Sequence, residues 1–268
     1  MSDTVLYEVS GAVATITLNR PERLNTMHDS LLDGTLAALE SAADDDGVLA
    51  VILTGAGRAF CAGGDLGSFA AGDGAGLAGT ATVSSRVGRL RAVMRTSQLL
   101  HEMPKVTIAA INGACAGAGL AWACAADLRY CAESAVFNTA FMTAGLSGDF
   151  GGTWTLPRIV GPGKARELYL LAEKFPSAEA LRIGLVSACF ADVDTLMQEV
   201  RRVAQRIAGF APLTMKAIKA NLNDSLSTGF AEMLDREADR HVRCGFTEDS
   251  REAAAAFLEK RQARFVGR

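Results

Sequence analysis

Two glycine-rich stretches, GRAFCAGGDL at residues 57–66 and INGACAGAGL at residues 111–120, decide how this chain is interpreted. Each follows an apolar run typical of a buried strand, VLAVILTG at 48–55 and VTIAA at 106–110. Glycine and alanine let a backbone approach a ligand closely and present its N–H groups. The second stretch also opens a predicted helix, whose N-terminus favours negative charge.

The two stretches together predict an oxyanion hole, in which two backbone amides stabilise charge on a carbonyl oxygen. Neither stretch matches the Walker pattern or G-x-G-x-x-G, so neither indicates a nucleotide phosphate site. Tight packing between a strand and a helix is the alternative explanation for each stretch taken alone.

The remaining sequence predicts an α/β fold. Strand and helix patterns alternate over residues 1–160, which favours βαβ units and a mainly parallel sheet. A single helix is expected at about 86–102, and another, capped by Asp29, is expected to run to about Ala43. Residues 67–85, rich in Gly, Ala, Ser and Thr, predict a mobile loop beside a site. After Pro157 the strand signals fade, and the C-terminal third is predicted to be helical.

Composition excludes several classes of function. With 49% hydrophobic and 21% charged residues, the 268-residue chain is typical of a globular protein with a sizeable core. The net charge is −3 and the composition needs no basic face to explain it, so nucleic acid is not expected as a partner. The N-terminus lacks a signal-peptide pattern, and no apolar run reaches the ~20 residues of a membrane helix. We therefore expect a cytoplasmic protein with no membrane partner.

Six cysteines and three histidines show no spacing typical of a metal site. No C-x-x-C occurs, and the cysteines stand at 61, 115, 124, 131, 189 and 244. Buried thiols in a reducing compartment are the expected explanation, so no metal site is predicted. Cys61 lies inside the first glycine-rich stretch, but no neighbouring base suggests a nucleophile.

As a pair, the two stretches resemble the signature of the crotonase (enoyl-CoA hydratase/isomerase) family. AFCAGGDL is similar to the family segment around its first oxyanion amide, and NGACAGAG to the turn that carries the second. Other segments resemble the family in the family's order: NRPERLNTM (19–27), ADLRYCAESAVF (126–137), GLV (184–186) and FLEKRQARF (257–265). The resemblance therefore covers essentially the whole chain.

This resemblance implies a particular fold and assembly. It implies a spiral of ββα units over residues 1 to about 160, followed by a helical C-terminal region. In domain terms, a crotonase-like core would span 1–200 and a helical trimerisation region 201–268. The expected assembly is a homotrimer or a homohexamer.

The resemblance also implies an acyl-coenzyme A thioester as substrate, with coenzyme A entering only as part of the substrate and no separate cofactor. The two oxyanion amides fall on Gly64 and Ala118. Phe141 and Met142, with the region 67–100, would set acyl specificity. Further candidate contacts to coenzyme A are Arg23, Arg58, Ala59, Phe60 and Ala62, with Phe257 and Lys260 reaching the ligand of a neighbouring subunit. Surface charge is the alternative explanation for Arg23 and Lys260, and helix packing for Phe257.

The chain departs from the family's hydratases at the two positions that carry their glutamates. These positions are Ala121 and Phe141, neither of which can move a proton. The segment GLSGDFGGTWTLPRIVG (145–161) instead resembles members that shift double bonds, including enoyl-CoA isomerases and the ring-epoxide isomerase of phenylacetate breakdown. Those members carry an acid at the position of Asp149.

Asp149 is therefore the expected catalytic base of an enoyl-CoA isomerase that needs no metal or redox cofactor. Aimed into an apolar pocket, it would have a raised pKa and be a stronger base. The alternative role for Asp149 is to cap a helix that starts near Gly151. A hydratase, another enolate reaction such as thioester hydrolysis or C–C cleavage, and an inactive acyl-CoA-binding paralogue also stay open.

Overall fold

The computed structural model describes residues 3–65 and 82–268, and from Ala50 to Asn138 its strands alternate between long and short segments. In chain order they are β1 (Val5–Ser10), β2 (Val13–Leu18), β3 (Ala50–Gly55), β4 (Ala59–Cys61), β5 (Val106–Ile111), β6 (Ala114–Ala116), β7 (Leu128–Ala132), β8 (Val136–Asn138), β9 (Phe175–Pro176) and β10 (Ala188–Phe190).

The helices lie between these strands and then dominate the C-terminal third. In chain order they are α1 (Asp29–Asp44), α2 (Val83–Val93), α3 (Arg95–Glu102), α4 (Ala118–Ala125), α5 (Gly152–Val160), α6 (Pro162–Leu171), α7 (Ser177–Arg182), α8 (Val193–Ala208), α9 (Pro212–Asp224), α10 (Phe230–Gly245) and α11 (Glu248–Glu259). A 3₁₀ turn covers Pro21–Arg23.

Within the described ranges, the strands form one six-stranded and one four-stranded sheet. The large sheet has the order β1-β2-β3-β5-β7-β10 and is parallel except for the β1–β2 hairpin. The small sheet has the order β4-β6-β8-β9. Each of β3, β5 and β7 is followed directly by a short strand of the small sheet. This repeated passage between sheets is the spiral of ββα units that the family resemblance implies, so that expectation is confirmed.

Helix α8 covers one face of the large sheet. Asp192 caps it by accepting a hydrogen bond from the Thr195 N–H at 2.7 Å. Its side chains at 196, 200 and 204 are fully buried and pack against strand residues including Ile52 and Ile108. The predicted division between core and C-terminal region at residue 200 falls inside this helix, and Ala204, beyond it, still packs on the sheet.

A buried ion pair joins the C-terminal helices to the core. The Lys219 ammonium of α9 lies 2.7 Å from the Asp127 carboxylate and 2.9 Å from the Lys105 carbonyl oxygen. The same carboxylate accepts hydrogen bonds from the N–H and hydroxyl of Thr107. Because removing the Asp127 charge would leave the Lys219 ammonium buried without its counter-charge, this pair fixes where α9 docks.

Several local expectations are refined by the structure. The helix expected at 86–102 is two helices, because α2 ends at Val93 and α3 begins at Arg95. Helix α1 matches its expected bounds, although His28 rather than Asp29 is the capping residue. The predicted loop at 67–85 lies largely outside the described residues, and its last three residues belong to α2. No described helix combines the length and apolarity that crossing a bilayer requires.

Candidate active site

The two glycine-rich stretches lie side by side because each contains a strand of the small sheet. Strand β4 pairs in parallel with β6, with Ala59 opposite Ala114 and Cys61 opposite Cys115. Two glycines allow this approach. A Cβ atom built on Gly113 would lie 2.1 Å from the Arg58 carbonyl oxygen, and one on Gly119 would lie 2.2 Å from that of Cys61. Only a residue without a side chain fits at either position.

The Gly64 amide does not take part in the pairing of its two neighbours with Met27. Met27 donates to the Gly63 carbonyl at 2.8 Å and accepts from the Asp65 N–H at 3.3 Å, forming a parallel bridge opposite Gly64. In such a bridge the central residue directs its own N–H away from the partner strand. The Gly64 N–H therefore points to the side opposite Met27, as one donor of an oxyanion hole requires.

The Ala118 amide is the first of helix α4. Gly117, which precedes it, has φ +52° and ψ −124°, a conformation that L side chains rarely adopt. The first intrahelical bond runs from the Ala121 N–H to the Gly117 carbonyl at 3.1 Å, so the Ala118 N–H has no partner inside its helix. A Cβ atom built on Gly117 would lie 3.8 Å from the Gly63 Cα, which brings the two predicted donor segments together.

Asp149 lies in a turn whose backbone is held in unusual conformations. Gly148 and Gly151 have φ +104° and +77°, and Phe150 has φ +47° although it carries a side chain. The Phe150 ring is buried and packs edge-on against Trp122 at 5.6 Å, and Trp122 donates to the Thr96 hydroxyl at 2.8 Å. This packing holds the strained Phe150 in place and thereby fixes the direction of Asp149.

One oxygen of the half-buried Asp149 carboxyl group is buried without a partner in the described structure. Its Oδ1 atom is closed off from solvent and makes no hydrogen bond within the described residues. Burial raises the pKa of Asp149 from 3.8 to about 6, because the charged form loses its hydration. Helix α5 is capped at Gly151 with no side-chain hydrogen bond, so Asp149 does not serve as its cap. A partnerless acid with a raised pKa is typical of a catalytic base.

Asp149 lies next to both glycine-rich segments. A Cβ atom built on Gly152 would lie 3.0 Å from the Ala121 Cβ, so the turn after Asp149 rests on helix α4. Burial raises the pKa of the Cys61 thiol to about 12, the Gly63 backbone lowers it, and the nearby Asp149 carboxylate raises it further. Cys61 is therefore protonated at neutral pH and is not a nucleophile.

Phe141 and Ala121 occupy the positions that the resemblance assigns to the hydratase glutamates. Both are buried, and the edge of the Phe141 ring lies 4.0 Å from a Cβ atom built on Gly117. The ring stacks on Tyr169 at 6.2 Å and 15°. An apolar wall thus stands beside the Ala118 donor where a hydratase has an acid. No pattern in the sequence points to Tyr169, because only the fold brings helix α6 against residue 141.

The side chains of the remaining predicted contact residues differ in their exposure to solvent. Arg23, Arg58, Met142, Phe257 and Lys260 are exposed, the last two on the end of α11. The Phe60 side chain belongs to the core, so it presents only its backbone to a ligand.

Within the segment 58–62, Ala59 and Ala62 can contact a ligand mainly through their backbone. Ala59 is buried, and Ala62 is half-buried and donates its N–H to the Leu24 carbonyl at 3.1 Å. Asp65 lies 3.9 Å from Arg20.

A separate cavity of about 1080 Å³ lies between α4, α5 and the C-terminal helices. Its lining includes His101, Trp154 and Lys219 but none of Gly64, Ala118 and Asp149. It is therefore not the site at which the two donor segments and the buried acid meet.

Two backbone donors beside a buried carboxyl group define a class of site. They suit chemistry in which a carbonyl oxygen takes up negative charge while a neighbouring acid or base moves a proton. Comparisons with known proteins identify the protein family that has this class of site. The family model described as enoyl-CoA hydratase/isomerase matches residues 8–268.

Individual relatives and solved structures agree with that match. The chain is 39% identical to a probable enoyl-CoA hydratase of Rhodobacter capsulatus, over 99% of this chain and 98% of the relative. It is 35% identical to the 1,2-epoxyphenylacetyl-CoA isomerase of Escherichia coli K12, over 100% of both chains. A crystal structure of an enoyl-CoA hydratase from Bacillus anthracis superposes with a TM-score of 0.90 at 28% identity, covering 99% of this chain and 100% of that one. The chain belongs to the enoyl-CoA hydratase/isomerase, or crotonase, family.

Proposed function

We propose that the protein is an enoyl-CoA isomerase that moves a double bond by a 1,3-proton shift. The observation that carries this proposal is Asp149, an acid with a raised pKa beside both donor segments, whose buried Oδ1 atom has no partner among the described residues. The absence of an acid at Ala121 and Phe141 adds to it, because hydration requires one group to activate water and another to protonate C2.

The proposed reaction uses one base and two amides. The thioester oxygen accepts hydrogen bonds from the N–H groups of Gly64 and Ala118. Asp149 removes a proton from C2 of the acyl group, and the two amides hold the negative charge of the resulting dienolate. The Asp149 carboxylic acid then returns the proton to C4, and one base suffices because the proton leaves and returns on one face. The proposed reaction involves no metal or redox cofactor, and coenzyme A takes part only as the thioester-bound portion of the substrate.

Substrate binding in this proposal follows the resemblance. Arg23 and the segment that contains Arg58, Ala59, Phe60 and Ala62 would contact coenzyme A, with Phe60 contributing its backbone. Phe141 and Met142 would contact the acyl group. Phe257 and Lys260 would reach the ligand of a neighbouring subunit in a homotrimer or homohexamer. Their exposure in the single chain is compatible with such a contact.

A hydratase is the second candidate function. It is favoured by the name of the R. capsulatus relative, a probable enoyl-CoA hydratase. In this case Asp149 alone would handle the water. Thioester hydrolysis and C–C cleavage share the same enolate and would yield free acid or a shortened acyl-CoA. An inactive binding paralogue would need no buried acid facing the thioester, which is why Asp149 argues against it.

The test compares two reactions in the wild type and in Asp149→Asn. The wild type should isomerise a 3-enoyl-CoA faster than it hydrates a 2-enoyl-CoA, as followed by ultraviolet absorbance and product chromatography. Asp149→Asn should lower turnover by about 10²–10⁴, the usual contribution of a positioned acid–base group, while acyl-CoA binding persists.

Asp192→Asn is the matched control, because Asp192 caps α8 away from the site and asparagine is also a good cap. It should leave turnover unchanged. Hydration at ordinary rates that survives Asp149→Asn would refute the isomerase proposal and leave the family assignment intact.

A further inference from the structure

Tyr169 is a polar residue beside the site that the proposed reaction does not use. It lies on α6, half-buried, with its ring stacked on Phe141 at 6.2 Å. Its hydroxyl oxygen lies 2.5 Å from the place that a Cβ atom on Gly152 would occupy. The hydroxyl therefore takes the space that the missing side chain of Gly152 leaves open, and any larger residue there would displace it.

Gly152 also connects the hydroxyl to Asp149. The Gly152 N–H donates to the Asp149 carbonyl at 3.1 Å, closing the turn in which Asp149 lies. Asp149 and Tyr169 are close enough to interact electrostatically. The Tyr169 hydroxyl thus stands next to the turn that carries the proposed base.

Each of these two groups lacks what the other offers. Asp149 Oδ1 is a buried acceptor without a donor, and the Tyr169 hydroxyl is a donor that makes no hydrogen bond in the described ranges 3–65 and 82–268. A buried acceptor left unsatisfied is costly, particularly when it is ionised. Catalytic hydrogen bonds are often unformed in a ligand-free enzyme and tighten when substrate binds.

We propose that Tyr169 is a positioning residue whose hydroxyl donates a hydrogen bond to the Asp149 carboxylate when substrate fills the site. The inference rests on the proposed function, since it assumes that Asp149 is the base. The hydrogen bond orients the carboxylate toward C2 and stabilises its charged form. The Tyr169 ring is held in place by its stack on Phe141. Phe141, which stands where a hydratase has a glutamate, therefore supports Asp149 through Tyr169.

Few titratable groups besides Tyr169 affect Asp149 in the described structure. Cys61 faces it from β4, and Cys124 of α4 interacts with Tyr169. Burial raises the pKa of both thiols to about 12, so neither changes charge between pH 5 and 9. Burial also raises the pKa of Tyr169, with smaller increases from Cys124 and Asp149. A limb of the pH–rate profile near pH 6 would therefore report Asp149.

The test is Tyr169→Phe, which keeps the ring and its stack and removes only the hydroxyl. Turnover should fall about tenfold with KM changed by less than twofold, the effect expected of one hydrogen bond to a charged group. The acid limb of kcat, which reports the enzyme–substrate complex in which this hydrogen bond forms, should move to higher pH by about one unit, because the charged carboxylate loses a donor. Tyr130→Phe is the matched control, since Tyr130 packs on Phe190 of the large sheet, and it should change neither.

Exchange of the substrate's C2 protons in deuterated water tests the role of Asp149 as the base separately from the role of Tyr169. If the wild type exchanges and Asp149→Asn does not, the base is established. Tyr169→Phe with an unmoved acid limb would then overturn the role of Tyr169 alone, even if turnover falls through lost stability. If wild type and Asp149→Asn exchange equally, the proposed function fails, and with it the inference.

Discussion

Replacing Gly119 by alanine should open the oxyanion hole while leaving every proposed functional side chain in place. Gly119 is the second residue of α4, directly after the Ala118 donor. The new Cβ atom would lie 2.2 Å from the Cys61 carbonyl oxygen and 2.7 Å from the Cys61 Cβ. Because both obstacles belong to strand β4, the helix start and the strand must move apart by roughly 1 Å to restore ordinary contacts.

A shift of this size is large for a site that works by geometry. Oxyanion donors must lie within about 2.7–3.1 Å of the charged oxygen, and a misplacement of ~1 Å can cost about 10²-fold in rate. We expect Gly119→Ala to lower kcat by about 10²-fold, measured with a 3-enoyl-CoA. Crowding the core should also cost about 1–3 kcal/mol of stability, seen as a lower melting temperature.

Gly163→Ala is the matched control for this change. Gly163 lies in helix α6, and a Cβ atom there would meet nothing within 4 Å. This variant should keep full turnover and lose no stability, because alanine is the better helix former. A folded Gly119→Ala protein that retains wild-type kcat would refute the assignment of the β4–α4 contact as the support of the oxyanion hole.

Two further predictions concern stability and assembly. Because burial raises the pKa of Asp149 from 3.8 to about 6, the charged carboxylate destabilises the fold above pH 6, and this cost disappears as the pH falls toward 4. Asp149→Asn should therefore stabilise the protein at pH 8 by about 1–3 kcal/mol and much less at pH 4.5, measured by chemical denaturation; an equal effect at both values would contradict the raised pKa. Light scattering should show a trimer or hexamer, and Lys260→Ala should raise the KM for acyl-CoA without changing that assembly, whereas a monomer with full activity would rule out contacts from Phe257 and Lys260 across subunits.

The parts of the fold that depend on local sequence could be predicted. The apolar runs that became β3 and β5 are buried on both sides, and such strands are recognisable without knowing their partners. The glycine-rich stretches were predictable as close backbone approaches, because positions such as Gly113 and Gly119 admit no side chain. Their short strands β4 and β6 were missed, since three residues are too few to show a period.

The parts of the site that depend on long-range packing could not be predicted. The direction of Asp149 rests on a left-handed Phe150, which is unfavourable by itself and is held by the contact with Trp122, 28 positions earlier in the chain. The stack of Tyr169 on Phe141 joins a helix to a loop with no shared pattern. The break between α2 and α3 at Met94 likewise leaves no glycine or proline as a signal.

The most direct test of the central claim follows the proton itself. A 3-enoyl-CoA deuterated at C2 is converted by the wild type in ordinary water, and the product is examined by mass spectrometry and NMR. If Asp149 removes the proton from C2 and returns it to C4 on one face, part of the deuterium should appear at C4, and Asp149→Asn should form this product about 10²–10⁴ times more slowly. Isomerised product formed at the same rate by both proteins, or a 3-hydroxyacyl-CoA formed at the same rate by both, would contradict the role of Asp149 as the single base.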